Sequence, residues 1–178
     1  MHRLAVWSAL ILIFLSLSVE AQVPTLSQYR MGSGDVVKIS VYGQPDLSVE
    51  TRLSDVGTIN YPYLGEIKLA GLTIAELEEF IYKGLKGDYL VEPSVSVTIK
   101  DYRPFFIKGE VKSPGGYSYQ PGLTVDKAAA LAGGYTQRAS RTNILIVREV
   151  DGESMTIAAD LAGIVLPGDI VTINESFF

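Results

Sequence analysis

Alternation of apolar and polar residues starts the ordered part of the chain. Val37, Ile39 and Val41 alternate with Lys38, Ser40 and Tyr42 after a Gly34-Asp35 entry, the period of a half-buried strand. Val49 to Leu53 repeats the pattern more weakly, and Ser54-Asp55-Val56-Gly57 carries turn residues. Thr58 to Tyr61 resumes an extended pattern that Pro62 limits, and Gly65-Glu66-Ile67 leads on to Gly71-Leu72-Thr73. The period then changes. Ile74, Leu77, Phe80, Ile81 and Leu85 fall on one face of a helix. Thr73 and Glu76 have the spacing of a capping box, and Gly87 is placed to stop the helix. Beyond Pro93, Val95, Val97 and Ile99 alternate with Ser94, Ser96, Thr98 and Lys100 as another strand.

A second unit starts at Pro104. Phe105 to Val111 reads as a strand, Pro114-Gly115-Gly116 as a turn and Tyr117 to Tyr119 as a short strand. Gly122-Leu123-Thr124 introduces a helix over Val125–Ala132, closed by Gly133-Gly134. Asn143–Glu149 and Ser154–Ala159 form a hairpin about Asp151-Gly152, and Pro167-Gly168-Asp169 opens a last strand, Ile170–Asn174. The units echo each other. Gly65-Glu66-Ile67-Lys68 matches Gly109-Glu110-Val111-Lys112, and Gly71-Leu72-Thr73-Ile74 matches Gly122-Leu123-Thr124-Val125. Gly34-Asp35-Val36-Val37 likewise resembles Gly168-Asp169-Ile170-Val171. Convergent turn chemistry accounts for such matches, since Gly supplies positive φ and Thr caps helices anywhere; related units account for three of them together. Neither unit is long enough for long crossover helices, so the predicted class is α+β, two small mixed-sheet units each with a helix on one face.

The first residues differ in kind. Arg3 precedes an almost wholly apolar stretch, Leu4–Leu17, and Ser18-Val19-Glu20-Ala21 offers small residues before Gln22. This is the layout of a cleavable secretory signal over residues 1–21, followed by a polar leader, 22–28. The rival reading is a membrane anchor, but fourteen helical residues reach only about 21 Å of a roughly 30 Å hydrocarbon core. A lipoprotein signal needs a cysteine at the cleavage site, and the chain has none.

Composition then narrows the chemistry. Among 178 residues, 47% are hydrophobic and 20% charged, which excludes a disordered chain. The net charge of −5 does not suit a phosphate-neutralising surface, so no nucleic-acid partner is expected. Without cysteine there is no disulfide, thiolate metal site or cysteine nucleophile. The single histidine, His2, and single tryptophan, Trp7, lie in the predicted signal, so the secreted chain has no histidine for a triad or zinc site. Carboxylates remain. Asp35, Glu66, Asp88, Glu110, Glu153 and Asp169 each follow a glycine, which fits turns where an acid bonds nearby backbone N–H groups. No pair among them has the look of a glycosidase pair, so no catalytic residue, metal ligand or cofactor-binding residue is nominated. Gly32-Ser33-Gly34 precedes a strand and lacks the third glycine of a dinucleotide fingerprint, and no Gly-Lys dipeptide exists for a P-loop. Tyrosines are the remaining contacts. Tyr61 and Tyr63 flank Pro62, Tyr117 and Tyr119 flank Ser118, and each pair would share one face of an extended strand. They are candidates for stacking on sugar rings or for a subunit interface, against a plainer role in strand packing.

In this order the motifs resemble the polysaccharide export family of Gram-negative bacteria. Tyr29-Arg30-Met31-Gly32-Ser33-Gly34-Asp35, Asp55-Val56-Gly57-Thr58-Ile59, Pro62-Tyr63-Leu64-Gly65-Glu66-Ile67, the Gly71-Leu72-Thr73 helix start and Pro93-Ser94-Val95 resemble its polysaccharide export domain, 29–103. Gly109-Glu110-Val111, Pro114-Gly115, Thr124 through Gly134 and Pro167-Gly168-Asp169-Ile170-Val171 resemble its soluble-ligand-binding β-grasp domain, 104–175, before a short tail, 176–178. The resemblance implies a non-enzymatic, ring-forming periplasmic protein at the outer membrane that helps capsule or biofilm exopolysaccharide leave the cell. It implies an inner-membrane polysaccharide co-polymerase, the polysaccharide chain and other copies of itself as partners, and no cofactor. The chain lacks the family's lipid-anchor cysteine and a C-terminal amphipathic helix, so a collar beneath a separate outer-membrane β-barrel exit protein is expected rather than the pore itself. A carbohydrate-binding module and a glycan hydrolase or lyase are the alternative classes. The secretory reading carries its own prediction: intact mass of periplasmic protein gives a chain beginning at Gln22 that stays soluble without detergent, and retention of residues 1–21 would refute it.

Overall fold

The computed structural model describes residues 28–150 and 152–176. The expected export signal, the expected leader through residue 27, Asp151 of the second hairpin turn and Phe177-Phe178 lie outside the described residues. The fold is α+β, two helices with several sheets that divide between two hydrophobic cores.

In the first unit β1 (Val36–Val41) lies between β2 (Val49–Arg52) and β5 (Val95–Asp101), antiparallel to both. A 3₁₀ turn, Pro45–Leu47, joins β1 to β2. β3 (Thr58–Tyr61) and β4 (Gly65–Lys68) form a separate hairpin. The helix α1 (Ile74–Leu85) starts where its capping box places it: Thr73 Oγ accepts from the Glu76 N–H, and the Thr73 N–H donates to Glu76 Oε2 at 2.7 Å. Leu77, Ile81 and Leu85 are buried against the sheet. Phe80 departs from the expected stripe and is 49% exposed, because the buried positions recur every four residues and Phe80 falls one residue short of Ile81.

The second unit is one five-stranded mixed sheet in the order β7-β6-β10-β8-β9. Its members are β6 (Phe105–Gly109), β7 (Gly115–Tyr117), β8 (Ala139–Val150), β9 (Glu153–Ala159) and β10 (Ile170–Glu175). Only β6 and β10 run parallel. The helix α2 (Val125–Leu131) supplies Val125, Ala128 and Ala129 to the core, and small residues let it sit close to the strands. Two expectations need correction. Gly115 and Gly116 lie inside β7 rather than in a turn, paired with Ile107 and Phe106, and the strand ends at Tyr117. An ideal Cβ on Gly116 would come within 2.9 Å of the Phe106 ring, so that ring occupies the room a side chain there would need. β6 also stops at Gly109, whose φ of +87° ends the extended run before Val111.

The Gly-Asp echo is one turn built twice. At each end of the junction a glycine takes positive φ, Gly34 at +89° and Gly168 at +86°, and the following aspartate is buried. The Gly32 N–H donates to Asp35 Oδ2 at 2.8 Å, and the Leu166 N–H donates to Asp169 Oδ2 at 2.7 Å, both three residues back. Asp35 also accepts from the Tyr29 hydroxyl at 2.6 Å and the Arg103 backbone N–H at 2.7 Å. Asp169 takes a bidentate pair from Arg148, 2.9 Å from Nε and 2.7 Å from Nη2. The Thr-capped helix starts match in the same way, with Thr124 accepting from the Lys127 N–H as Thr73 does from Glu76. The Gly-Glu echo does not. Gly65 opens β4, whereas Gly109 closes β6.

Removing a partner from a buried pair costs about 3–5 kcal/mol. Asp169→Ala, which strands the Arg148 guanidinium, is therefore expected to lower unfolding free energy by about that amount in urea denaturation. Glu66→Ala, on an exposed carboxylate bonded to Thr58, should change it by under about 1 kcal/mol.

Candidate functional site

The junction fixes which ends of the first unit are free. Val36 pairs with Asp101 beside the linker to the second unit, so the C-terminal end of β1 points away from it. There Val41 pairs with Val95, and the Tyr42 N–H donates to Ser94 O at 2.9 Å. The tip of the β3–β4 hairpin reaches the same end, because the Tyr61 hydroxyl donates to Leu47 O at 2.7 Å. The C-terminus of α1 arrives there too: a Cβ at Gly84 would lie 2.8 Å from Leu64, so the missing side chain is the notch that receives Leu64.

The result is an exposed aromatic tip. Tyr63, in the three-residue connection Pro62-Tyr63-Leu64, has φ +64°, and it alone among described non-glycine residues has positive φ. That conformation costs roughly 1–2 kcal/mol for a residue with a Cβ. The Tyr63 ring is two-thirds exposed and stacks on Tyr89, with centroids 4.7 Å apart and planes 28° apart. Such stacking returns about 0.5–1.5 kcal/mol. Tyr42 and Val91 at the same end are almost fully exposed, at 87% and 89%. The loop carrying Tyr89 is held by Leu90 N–H to Leu85 O at 2.9 Å and by a cluster in which Tyr82 donates to Glu92 at 2.6 Å and Lys86 bonds both. The Tyr82 hydrogen bond and the Lys86 ammonium lower the Glu92 carboxyl pKa, so the tip keeps that negative charge. A shallow depression bordered by Asn60, Tyr61, Pro62, Tyr63 and Gly65 adjoins the ring pair.

The four tyrosines singled out from sequence therefore separate. Tyr61 is buried in the first core, and its neighbour Tyr63 leaves the strand at the turn, so the two do not share a face. Tyr119 is buried and its ring meets Tyr102 edge-on at 5.2 Å; Tyr102 in turn meets Tyr29 at 5.3 Å, a ladder that crosses the junction. Tyr117 sits half-exposed at the edge strand β7, its hydroxyl donating to Ser113 O at 2.5 Å. Sequence alternation marks Tyr42 only as an outward position of the first strand, which ends one residue earlier at Val41, and Tyr89 stands singly in the loop after α1, so neither is nominated from sequence. Among the described residues no group of three or more acids or histidines is placed to hold a metal ion.

Two family matches cover the units in order. Residues 23–100 match the family described as polysaccharide biosynthesis/export protein, and residues 104–158 match the SLBB domain. The chain belongs to the polysaccharide export family. It is similar to the exopolysaccharide production protein ExoF of Rhizobium meliloti (strain 1021), 32% identical over 128 residues, which cover 64% of this chain and 30% of that one. It is also similar to the EPS I polysaccharide export outer membrane protein EpsA of Ralstonia nicotianae (strain ATCC BAA-1114 / GMI1000), 29% identical over 83% of this chain and 47% of the relative. The EpsA of Ralstonia solanacearum is 28% identical over 67% of this chain and 38% of its own length. The chain thus spans less than half the length of each of these relatives.

Burial pushes the Tyr61 hydroxyl pKa up to about 12. Burial, and then the Asp35 carboxylate, raise that of Tyr29 as well. An unfolded tyrosine titrates near 10. The folded state thus holds both hydroxyls neutral, and their contribution to stability is complete below pH 10 and lost as pH rises through the folded value. Urea unfolding between pH 8 and pH 11.5 should show falling stability above pH 10. Tyr61→Phe should flatten that fall while costing about 1 kcal/mol at neutral pH through the orphaned Leu47 carbonyl.

Proposed function

We propose that this protein is a non-enzymatic envelope component of an exopolysaccharide or capsule export machine. It works as an oligomeric periplasmic collar between an inner-membrane co-polymerase and an outer-membrane exit protein. Support comes from the family membership, from relatives named for exopolysaccharide production and outer-membrane export, and from a two-ended first unit whose far end carries exposed aromatic rings. No helix among the described residues is long and apolar enough to cross a membrane, which agrees with a collar role and leaves strand-built pores aside. The observation that carries the reading is the pair of domains in family order across the two cores.

In this reading the tip touches the polymer. The Tyr63–Tyr89 pair offers a flat apolar face with hydroxyls at its margin, the chemistry that packs on a pyranose ring and bonds its substituents. Of the four tyrosines nominated from sequence, Tyr63 is the glycan contact and Tyr117 the interface residue, while Tyr61 and Tyr119 hold the cores.

Deleting the gene should abolish surface polysaccharide while the synthetic enzymes persist. Complementation with Tyr63→Gly tests the tip. Glycine accepts the φ of +64°, so stability should change by under about 1 kcal/mol. Affinity for purified polymer should fall about five- to tenfold through loss of one ring contact. Normal surface polysaccharide in the deletion strain would overturn the export role. Polymer shortening by the pure protein would favour the hydrolase or lyase instead, and tight oligosaccharide binding in a strain that exports normally would favour a carbohydrate-binding module.

A further inference from the structure

The sheets differ in how their edges end. In the first unit the outer edge of β5 is met by α1, whose Glu78 carboxylate accepts the Val97 N–H at 2.8 Å. β9 has no such cover among the described residues. It is the terminal strand of the five-stranded sheet, seven residues long, with Glu153, Ser154, Met155, Thr156 and Ala158 exposed. Its sequence beyond Glu153, Ser-Met-Thr-Ile-Ala-Ala, has no lysine, proline or charge to repel another strand. The opposite edge, β7, is equally open, and Gly115 and Gly116 present backbone without side chains.

The two edges fit each other. β7 runs antiparallel to β6, β10 parallel to β6, β8 antiparallel to β10 and β9 antiparallel to β8. β9 therefore runs opposite to β7, and a second copy's β7 laid beside β9 makes an antiparallel ladder, the more stable kind. The paired row Gly115–Ile107–Val171–Ile146–Ile157 crosses the whole sheet on its core side. Extending that row into the next copy sets Ile157 opposite Gly115. The same register sets Met155 opposite Tyr117 and Ser154 opposite Ser118. Met155 alternates to the core side of β9 yet is 53% exposed, and Tyr117 is the half-exposed ring at the other margin. Each supplies what the other lacks, a thioether against an aromatic ring. The register also carries exposed Asp160 toward exposed Lys112.

We propose that β9 of one copy adds to β7 of the next in this register, joining SLBB sheets head to tail. Such a contact is heterologous, so it propagates and closes into a ring if its rotation permits. The proposal rests on the oligomeric collar reading and names its interface.

The chain has no cysteine, so introduced thiols report without background. Ser118→Cys and Ser154→Cys, both at exposed positions on the outer side of the sheet, are placed in one full-length chain expressed in its own host and oxidised. Directly opposed residues in an antiparallel pair have Cβ atoms about 4.5–5.5 Å apart, within reach of a disulfide or short thiol crosslinker. A ladder of dimer, trimer and higher species from the double variant, with neither single variant crosslinking, is the expected result. Dimers from Ser154→Cys alone would mean β9 pairs with β9 and would overturn the proposal. An oligomeric chain that does not crosslink would overturn the interface while sparing the collar, and a chain that sediments as monomer with and without its export partners would overturn both. Met155→Lys offers a check free of thiols: association should weaken about tenfold with an unchanged far-UV spectrum. Unaltered association of that variant would count equally against the proposal.

Discussion

A buried carboxylate without partners would unfold either unit, and the whole arrangement follows from how Asp35 and Asp169 avoid that state. Each is satisfied first by its own turn, through the N–H three residues back. Each then needs donors from outside the turn: Tyr29, six residues back, and the Arg103 backbone from far along the chain for Asp35, and Arg148 for Asp169. The turn therefore pins the start of β1 to the linker, and the start of β10 to the C-terminal end of β8.

Arg103 ties the two turns together. Its backbone N–H serves Asp35, its guanidinium lies 3.8 Å from the same carboxylate, and its side chain runs past Gly32 and Gly168. A Cβ at Gly32 would collide with Arg103 Nη1, and one at Gly168 would lie 2.6 Å from its Nε. Glycine at these positions makes room for the arginine. With Tyr29, Tyr102 and Tyr119 stacked edge to face along the same seam, the linker is packed rather than loose. The orientation of the first unit, and so the direction in which its tip points, is held by linker side chains, Tyr102 and Arg103, seated against the turns.

Most of this fold was legible because it rests on local chemistry. The capping box at Thr73 and Glu76, the alternation in β1 and β5, and the Gly133-Gly134 stop each act within a few residues. The Gly-Asp echo was legible as words, but its meaning was not, since the donors to Asp169 come from Arg148, twenty-one residues away. The errors had the same origin. Gly115 and Gly116 read as a turn because glycine usually marks one; ladder pairing with Ile107 and Phe106 of β6 makes them strand. Tyr61 and Tyr63 read as one face because alternation assumes continued strand, and Pro62-Tyr63 turns the chain instead. Tyr89 reaches Tyr63 from twenty-six residues away, so no window along the sequence contains that pair.

The strained conformation of Tyr63 bears on why the tip exists. A glycine at that position would relieve the backbone at little steric cost, and three of the nearby turns use one, at Gly57, Gly65 and Gly71. Stacking on Tyr89 returns an energy similar to what the conformation costs, so stability gives no net reason for a tyrosine here. Burial gives none either, because the ring stays two-thirds exposed. A side chain that gains little for the fold, held in an unfavourable backbone state with its face toward solvent, accords with the polymer contact proposed for that face. At the end of the unit farthest from the SLBB sheet, the ring is free to meet a partner outside this chain. The proposed strand addition engages the other end of the molecule, so it does not compete with the proposed polymer contact for the same surface.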